Sequence, residues 1–421
     1  MLLDNGHAGR DFLFLERVIP IDAACLIMSF LHYTDLQAMS LCSSHLYHVV
    51  SYAHYVYMEE AFEPQARVTR QPNPNNADLQ QPSYLVKRPA RLNHRSLTNL
   101  LGRYSNLKEL HLAGLGPVGD SLLRLLNEAP AAPNLRSLTL HGASLTYWCP
   151  GVLQLPRLEN LKVAGGSIRA SLALILGHTT RLKSLSFAQC SALRDDHLRQ
   201  LLAPLDESLK ELSVHQCLRI KRPRIDSSRL EKLSFMGCFA LTELPDLFAP
   251  TLRELNLSFC FRLDRIQIHN IMDSLPNLES LKLVKCPLLD RLDVQSLPAL
   301  SFLNVNYCNA LSSVRVSGSP LLAVLECNGC ISLQTLILDG ADALEYLNIS
   351  TLPIRRLLVT AVRLLHLEME NCRHLDDCLI RSPNLQSVNV RGSRTVALRF
   401  CKQVRNVLLE KHWMCRTPME I

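Results

Sequence analysis

The sequence predicts an α/β fold: a solenoid of about fourteen coils, the later ones with strands on both faces, preceded by a small all-α helical bundle. Three observations carry this. The segments LRELNLSFC (252–260), LESLKLVKC (278–286) and LSFLNVNYC (300–308) repeat one another as LxxLxLxxC. Within LxL the apolar residues alternate with polar ones, the period of a half-buried strand. One such strand cannot bury its apolar face alone, so copies must stack and share a core. In the later coils a second apolar alternation follows about eleven residues after the first. Residues 19–58, by contrast, read as helices.

The helices come first along the chain. Pro20 suits a first helical turn, and Asp22 is favourable near a helix N-terminus. From Ala23 to Leu31 only Ser29 is polar, so this helix is apolar on every side. A bundle of about forty residues cannot hide all those faces, and a partner protein is the economical cover. A break at His32–Thr34 precedes a second helix over about Asp35–Cys42; a third runs from about Ser44 to near Glu59–Phe62. The alternative is a cap that only shields the first repeat, which needs one apolar face rather than several.

Residues 64–96 change character, being rich in Pro, Asn, Gln and Arg without either periodicity, and read as a linker or long surface loop. The Lys87–Arg95 cluster there is a solvated basic loop, with a weak nuclear-import signal as the alternative. Charge is uneven: residues 1–63 hold two basic and eight acidic residues, and 64–96 hold six basic against Asp78. The formal net charge of +7 is otherwise diffuse, which does not point to nucleic acid.

The repeat array occupies 97–410, with a tail at 411–421. Its first positions are Leu107, Leu135, Leu158, Leu182, Leu209, Leu230, Leu252, Leu278, Leu300, Leu322, Leu344, Leu364, Leu385 and Val404. Several early coils have room for a return helix, as in SLLRLLNEA (121–129) and DDHLRQLLAPL (195–205). From Leu278 the spacing settles near 20–22 residues, too short for much helix, and LDRLDV (289–294), LSSVRV (311–316), LQTLIL (333–338) and IRRLLV (354–359) supply back strands instead. Arg399-Phe400 falls in the last of these.

With 48% hydrophobic and 20% charged residues the chain suits a packed protein. Its apolar runs are short, and Asp4, Arg10, Asp11, Glu16 and Arg17 break up any signal-peptide core. A cytoplasmic and/or nuclear location is expected, with the cysteines reduced. Cys190, Cys217, Cys238, Cys260, Cys286, Cys308, Cys330 and Cys372 close successive motifs, one per coil. That is a ladder of buried thiols, not the converging set that zinc requires. Cys327 and Cys330 spell CxxC, but both positions point inward.

GLGPVG (114–119) matches the dinucleotide fingerprint, yet no acidic residue occurs between Glu128 and Glu159, and Pro117 removes an amide from the turn. His111, His141 and His215 fall at exposed strand positions without paired nucleophiles. No cofactor, metal or catalytic constellation is expected.

LxxLxLxxC is the leucine-rich-repeat signature, and its cysteine-ended form resembles the repeats of the F-box/leucine-rich-repeat family. Residues 19–58 are similar to an F-box at Ile19, Pro20, Asp22, Ile27, Met28, Leu31, Asp35, Leu36, Ser40 and Leu41. They depart from it at Cys42-Ser43, where Val-Cys is usual, at Ser44-His45, where basic residues are common, and at Leu46, where tryptophan is frequent. The resemblance implies a non-catalytic substrate receptor of an SCF-type ubiquitin ligase. Residues 1–63 would bind the Skp-type adaptor, and through it a cullin–RING ligase, with Pro20, Ile27, Leu31, Leu36 and Leu41 bearing on it. The solenoid would hold a protein substrate destined for the proteasome. The alternative is a repeat scaffold without a ligase role; an enzyme stands third. Neither membrane nor nucleic acid is an expected partner.

Residues flanking the second leucine of each LxxLxL strand point onto the concave sheet. Most are small or polar, but Phe302, Val324 and Tyr346 form one column, with Asn304, Glu326 and Asn348 beside it and Tyr307 at the edge. Apolar anchors next to polar groups suit a protein-binding hot spot. Strand preference for aromatic and β-branched residues accounts for the same pattern, and both readings stay open here.

Overall fold

A computed structural model describes residues 84–87, 108–113, 119–130, 132–141, 154–165, 181–245, 247–295, 297–375, 377–393, 398–399 and 406–408. The chain divides into two units, Met1–Leu79 and Gln80–Ile421, and all described residues belong to the second. The predicted helices of residues 19–58, most of 64–96, residues 114–118 of the GLGPVG string and the 411–421 tail lie outside the described residues.

Fifteen parallel strands form one sheet. They are β1 (Tyr84–Lys87), β2 (Glu109–Ala113), β3 (Ser137–His141), β4 (Asn160–Ala164), β5 (Ser184–Ala188), β6 (Glu211–His215), β7 (Lys232–Ser234), β8 (Glu254–Asn256), β9 (Ser280–Lys282), β11 (Phe302–Asn304), β13 (Val324–Glu326), β15 (Tyr346–Asn348), β17 (His366–Glu368), β19 (Ser387–Asn389) and β21 (Asn406–Leu408). From β2 onward each strand begins two residues past a predicted first position. The register is set by the leucines: Leu281, Leu303, Leu325, Leu347 and Leu367 lie opposite one another and are fully buried. A slip of one residue would turn that whole row to solvent.

β1 was not expected. Tyr84–Lys87 pairs in parallel with Glu109–Leu112, so the sheet begins inside the segment that reads as a loop. A strand of four residues, set among the six between Pro82 and Pro89, is too short to register as an alternation.

The return segments differ along the chain. Helices α1 (Gly119–Glu128), α2 (Asp195–Leu202) and α3 (Arg265–Asp273) lie in the longer, earlier coils. α1 buries Leu125 and Leu126; α2 buries Leu198, Leu201 and Leu202. α3 buries Ile268, Ile271 and Met272, and is capped by Asp264, whose carboxylate accepts from the Gln267 amide at 3.0 Å. Its Ile-x-Ile spacing imitates a strand in sequence, so only α1 and α2 were legible there. From β9 on, strands replace helices: β10 (Arg291–Val294), β12 (Ser313–Ser317) and β14 (Thr335–Asp339) form one back sheet. A second contains β16 (Arg356–Thr360), β18 (Asp377–Arg381) and β20 (Leu398–Arg399). All the predicted back alternations lie in these strands. Among the described residues no helix is long and apolar enough to cross a membrane.

The cysteine ladder is buried throughout, and Cys327 and Cys330 are buried with it. Its geometry adds something the repeat pattern does not contain. Most of the ladder thiols reach back one coil to a backbone carbonyl, among them Cys238 to Val214 at 3.1 Å, Cys260 to Phe235 at 3.2 Å, Cys308 to Leu283 at 2.9 Å and Cys330 to Val305 at 3.1 Å, whereas Cys217 bonds His215 of its own coil. Burial raises Cys238, Cys260 and Cys330 above their ordinary range, Cys330 to about 12, and the Cys286 thiol followed by burial raises Cys308, so these thiols stay protonated and able to donate. Replacing Cys308 by alanine leaves the Leu283 carbonyl without this donor, and an unfolding midpoint should register a loss of about 1–3 kcal/mol. Serine, which restores a donor, should recover part of it.

Candidate functional site

The candidate site is the solvent face of the long sheet around β11, β13 and β15. Strand pairing places Phe302, Val324 and Tyr346 opposite one another, and Asn304, Glu326 and Asn348 likewise. All six are half-buried. The two predicted columns therefore exist, side by side on consecutive strands.

The polar column is a connected network. Glu326 Oε2 accepts from Asn304 Nδ2 at 2.5 Å and from Asn306 Nδ2 at 2.9 Å. Asn304 Oδ1 accepts from the Asn306 amide, and Asn306 Oδ1 accepts from the Asn328 amide at 2.7 Å. Asn348 Oδ1 takes the Ser350 amide at 3.1 Å, and its Nδ2 reaches the Tyr346 hydroxyl at 3.5 Å. Asn306 and Asn328 were missed by the sequence reading. They occupy a third outward position, two residues beyond each strand, and the alternation that exposed Asn304 would have found them if extended. Burial holds the Tyr346 phenol above its ordinary pKa; the Asn348 hydrogen bond opposes this, while the Glu368 and Glu326 carboxylates add to it.

Tyr307 belongs to a different feature, the rim. The residue before each closing cysteine has a left-handed backbone: Gln189, Gln216, Phe259, Lys285 and Tyr307 have φ between 51° and 62°, and Gly237 and Gly329 lie near +70°. That conformation aims its amide at the next coil. Phe259 donates to the Val284 carbonyl, Lys285 to Asn306 and Tyr307 to Asn328, so the parallel ladder continues through the turn. Bulky residues rarely adopt it, yet Phe259 and Tyr307 do. The Lys285 Nζ lies between their rings, 5.4 Å from one centroid and 5.7 Å from the other. The Tyr307 ring covers Gly329, where a Cβ would come within 2.4 Å of Cδ1. Its hydroxyl accepts from Asn328 Nδ2 at 3.3 Å, which joins the rim to the polar column. Next to the apolar column, Lys282 Nζ stands 5.9 Å from the Phe302 ring centroid.

Of the three strand histidines, His111 and His141 are half-exposed, but His215 is not exposed as expected: only 6% of it reaches solvent. It points away from the core, yet its neighbours close over it. Its Nε2 lies 2.9 Å from the Ser234 hydroxyl of the next coil, and small Ala188 is its register partner. Burial lowers its pKa to about 4, with the Lys162 charge acting the same way.

The adaptor-binding residues predicted in the helices, Pro20, Ile27, Leu31, Leu36 and Leu41, lie outside the described residues. Comparison with protein families reaches them by another route: residues 18–54 match the F-box domain. The chain therefore joins an F-box to a leucine-rich-repeat solenoid. All five residues fall in the matched span. No curated protein sequence matches the chain.

Three solved structures are among those that align with the chain. The TLR13–ssRNA13 complex aligns at 19% identity over 73% of this chain, with a TM-score of 0.42. The F-box/repeat chain spans only 55% of that structure's chain. The Rad7–Elc1 complex of yeast aligns at 14% identity over 78% of this chain and 70% of its own, with a TM-score of 0.33. The leucine-rich-repeat domain of the type III effector XopL aligns at 20% identity, covering 69% and 81%, with a TM-score of 0.30.

Proposed function

We propose that this chain is the substrate-recognition subunit of an SCF-type ubiquitin ligase. The F-box at residues 18–54 carries the reading, because that domain type recruits a Skp-type adaptor and the solenoid behind it supplies a large partner-binding face. Residues 1–63 form the adaptor-binding part, with Pro20, Ile27, Leu31, Leu36 and Leu41 shaping or making the contact. The repeats from β1 onward hold the substrate, through Phe302, Val324 and Tyr346 as anchors and Asn304, Glu326, Asn348 and Tyr307 as orienting groups. The chain performs no chemistry; ubiquitin transfer belongs to other subunits of a cytoplasmic or nuclear ligase.

The half-buried aromatic column favours this over a purely structural role for the face. Two rings, Phe302 and Tyr346, with Val324 between them and a hydrogen-bonded row alongside have the composition of an interface hot spot. Copurification from cells separates the ligase from a scaffold. Adaptor and cullin should accompany the intact chain and vanish with residues 1–63. The pair Leu31→Ala and Leu36→Ala should weaken adaptor binding by more than tenfold, since burying each leucine is worth roughly 1.5–3 kcal/mol. Recovery of the repeats' partners without adaptor or cullin, from the intact chain, would establish the scaffold instead.

A further inference from the structure

We infer that the segment held on this face is basic as well as apolar: an extended stretch of protein presenting lysine or arginine next to an aliphatic or aromatic side chain. This rests on the reading of the face as a partner-binding surface and goes on to name the partner's chemistry.

The argument is a charge imbalance along one sheet. Before β11, four of the six carboxylates on the sheet and its entry positions are matched by cations of neighbouring coils, Glu109 and Glu211 being the exceptions. Lys183 pairs with Glu159 at 3.0 Å, Lys210 with Glu231 at 2.6 Å, Lys232 with Glu254 at 2.8 Å and Arg253 with Glu279 at 3.0 Å. From β13 on this stops. Glu326, Glu345, Glu368 and Glu370 form no ion pair among the described residues, although three of them are half-buried. Glu326 is held by two amide donors from Asn304 and Asn306, which fix its carboxylate without neutralising it. Arg391, at the continuation of β19, makes no ion pair with Glu370.

Carboxylates gather at the Tyr346 end of the apolar column, while Lys282 stands at its Phe302 end. Glu326 and Glu368 both act on the Tyr346 hydroxyl, and Glu345 precedes Tyr346 in the chain. Half-buried carboxylates without counter-ions favour a cation that arrives with its own apolar stem, so that docking desolvates both at once. A lysine or arginine lying across Tyr346 meets this demand: its methylenes cover the ring and its charge reaches either carboxylate. An acidic segment would bring like charges together on the same ground.

The test uses the full chain and fluorescein-labelled peptides of equal length, read by anisotropy at low salt. One peptide repeats Lys-Leu-Ser; a second has Glu for every lysine; a third has Ser for every leucine. The Lys-Leu-Ser peptide should bind about tenfold more tightly than either control, and salt should weaken it. The triple variant Glu326→Gln, Glu368→Gln and Glu370→Gln should lose about tenfold and most of the salt dependence. Should that variant melt early, Glu368→Gln alone serves, because among the described residues no hydrogen bond depends on its carboxylate. Equal binding of the Glu peptide, or a charge variant that binds as the native chain does, overturns the inference. If Phe302→Ala with Tyr346→Ala then still abolishes binding, the face survives as a partner site and only the basic character falls. If that pair also changes nothing, the reading of the face falls too.

Discussion

Leu325→Ala should destabilise the solenoid by about 2–5 kcal/mol, the range for a buried leucine truncated in a rigid core. Leu325 is fully buried at the middle of β13, opposite Leu303 on one side and Leu347 on the other. Neither neighbour can move into the space without breaking its own strand pairing. The short return of this coil is a strand, β12 to β14, rather than a helix that could settle inward. Leu336, on β14 of the back sheet, is only partly buried, and its truncation should cost clearly less. Denaturant titration of both variants checks the order. Because each coil touches only its neighbours, the loss should also be local, releasing the coils after β13 to proteolysis before those of β2–β9. Equal losses at Leu325 and Leu336 would contradict the assigned core.

The second large effect is a dependence on pH. His215 titrates near 4 when folded and near its ordinary 6.5 when unfolded, because burial disfavours the charged ring. Between those values the unfolded chain binds the extra proton, so stability rises with pH. The contribution is whole above pH 6.5 and lost as pH falls toward 4. The shift corresponds to about 3 kcal/mol at 1.36 kcal/mol per pH unit. His111 and His197, also lowered by burial, act in the same direction. The test is therefore a difference: the native chain should lose about 3 kcal/mol more than His215→Gln between pH 7.5 and 4. Parallel pH profiles for the two would show that the ring is not held neutral.

Much of this was legible because the repeat writes one structural rule many times. Leu303, Leu325 and Leu347 announce their burial through spacing alone, and strand registry then follows from aligning them. The columns of Phe302, Val324 and Tyr346, and of Asn304, Glu326 and Asn348, needed only that alignment. What stayed hidden depends on torsions or on contacts between coils. Nothing in the letters says that Phe259 or Tyr307 has a left-handed backbone, since neither is glycine. The Asn306–Glu326 bond joins residues twenty positions apart whose outward side chains meet only when coils stack. His215 read as exposed because alternation gives direction, not cover. α3 failed for a different reason: an Ile-x-Ile run satisfies the strand period while its Asp264 cap and coil length favour helix. The F-box was legible despite its departures, because the run from Ala23 to Leu31, with Ser29 its one polar residue, is conspicuous in sequence beside segments of strict alternation.

The back-reaching thiols have a practical consequence. Sulfur in this protein is a position marker. Cys190, Cys217, Cys238, Cys260, Cys286, Cys308, Cys330 and Cys372 are sealed in the core at successive coils, each shut off from alkylating reagents while its own turn stays closed. As the array frays from an end, they come within reach of such reagents in chain order. Mass-spectrometric mapping of which cysteines have been alkylated after a brief pulse would thus read out, without introduced probes, how far the solenoid had opened at that instant.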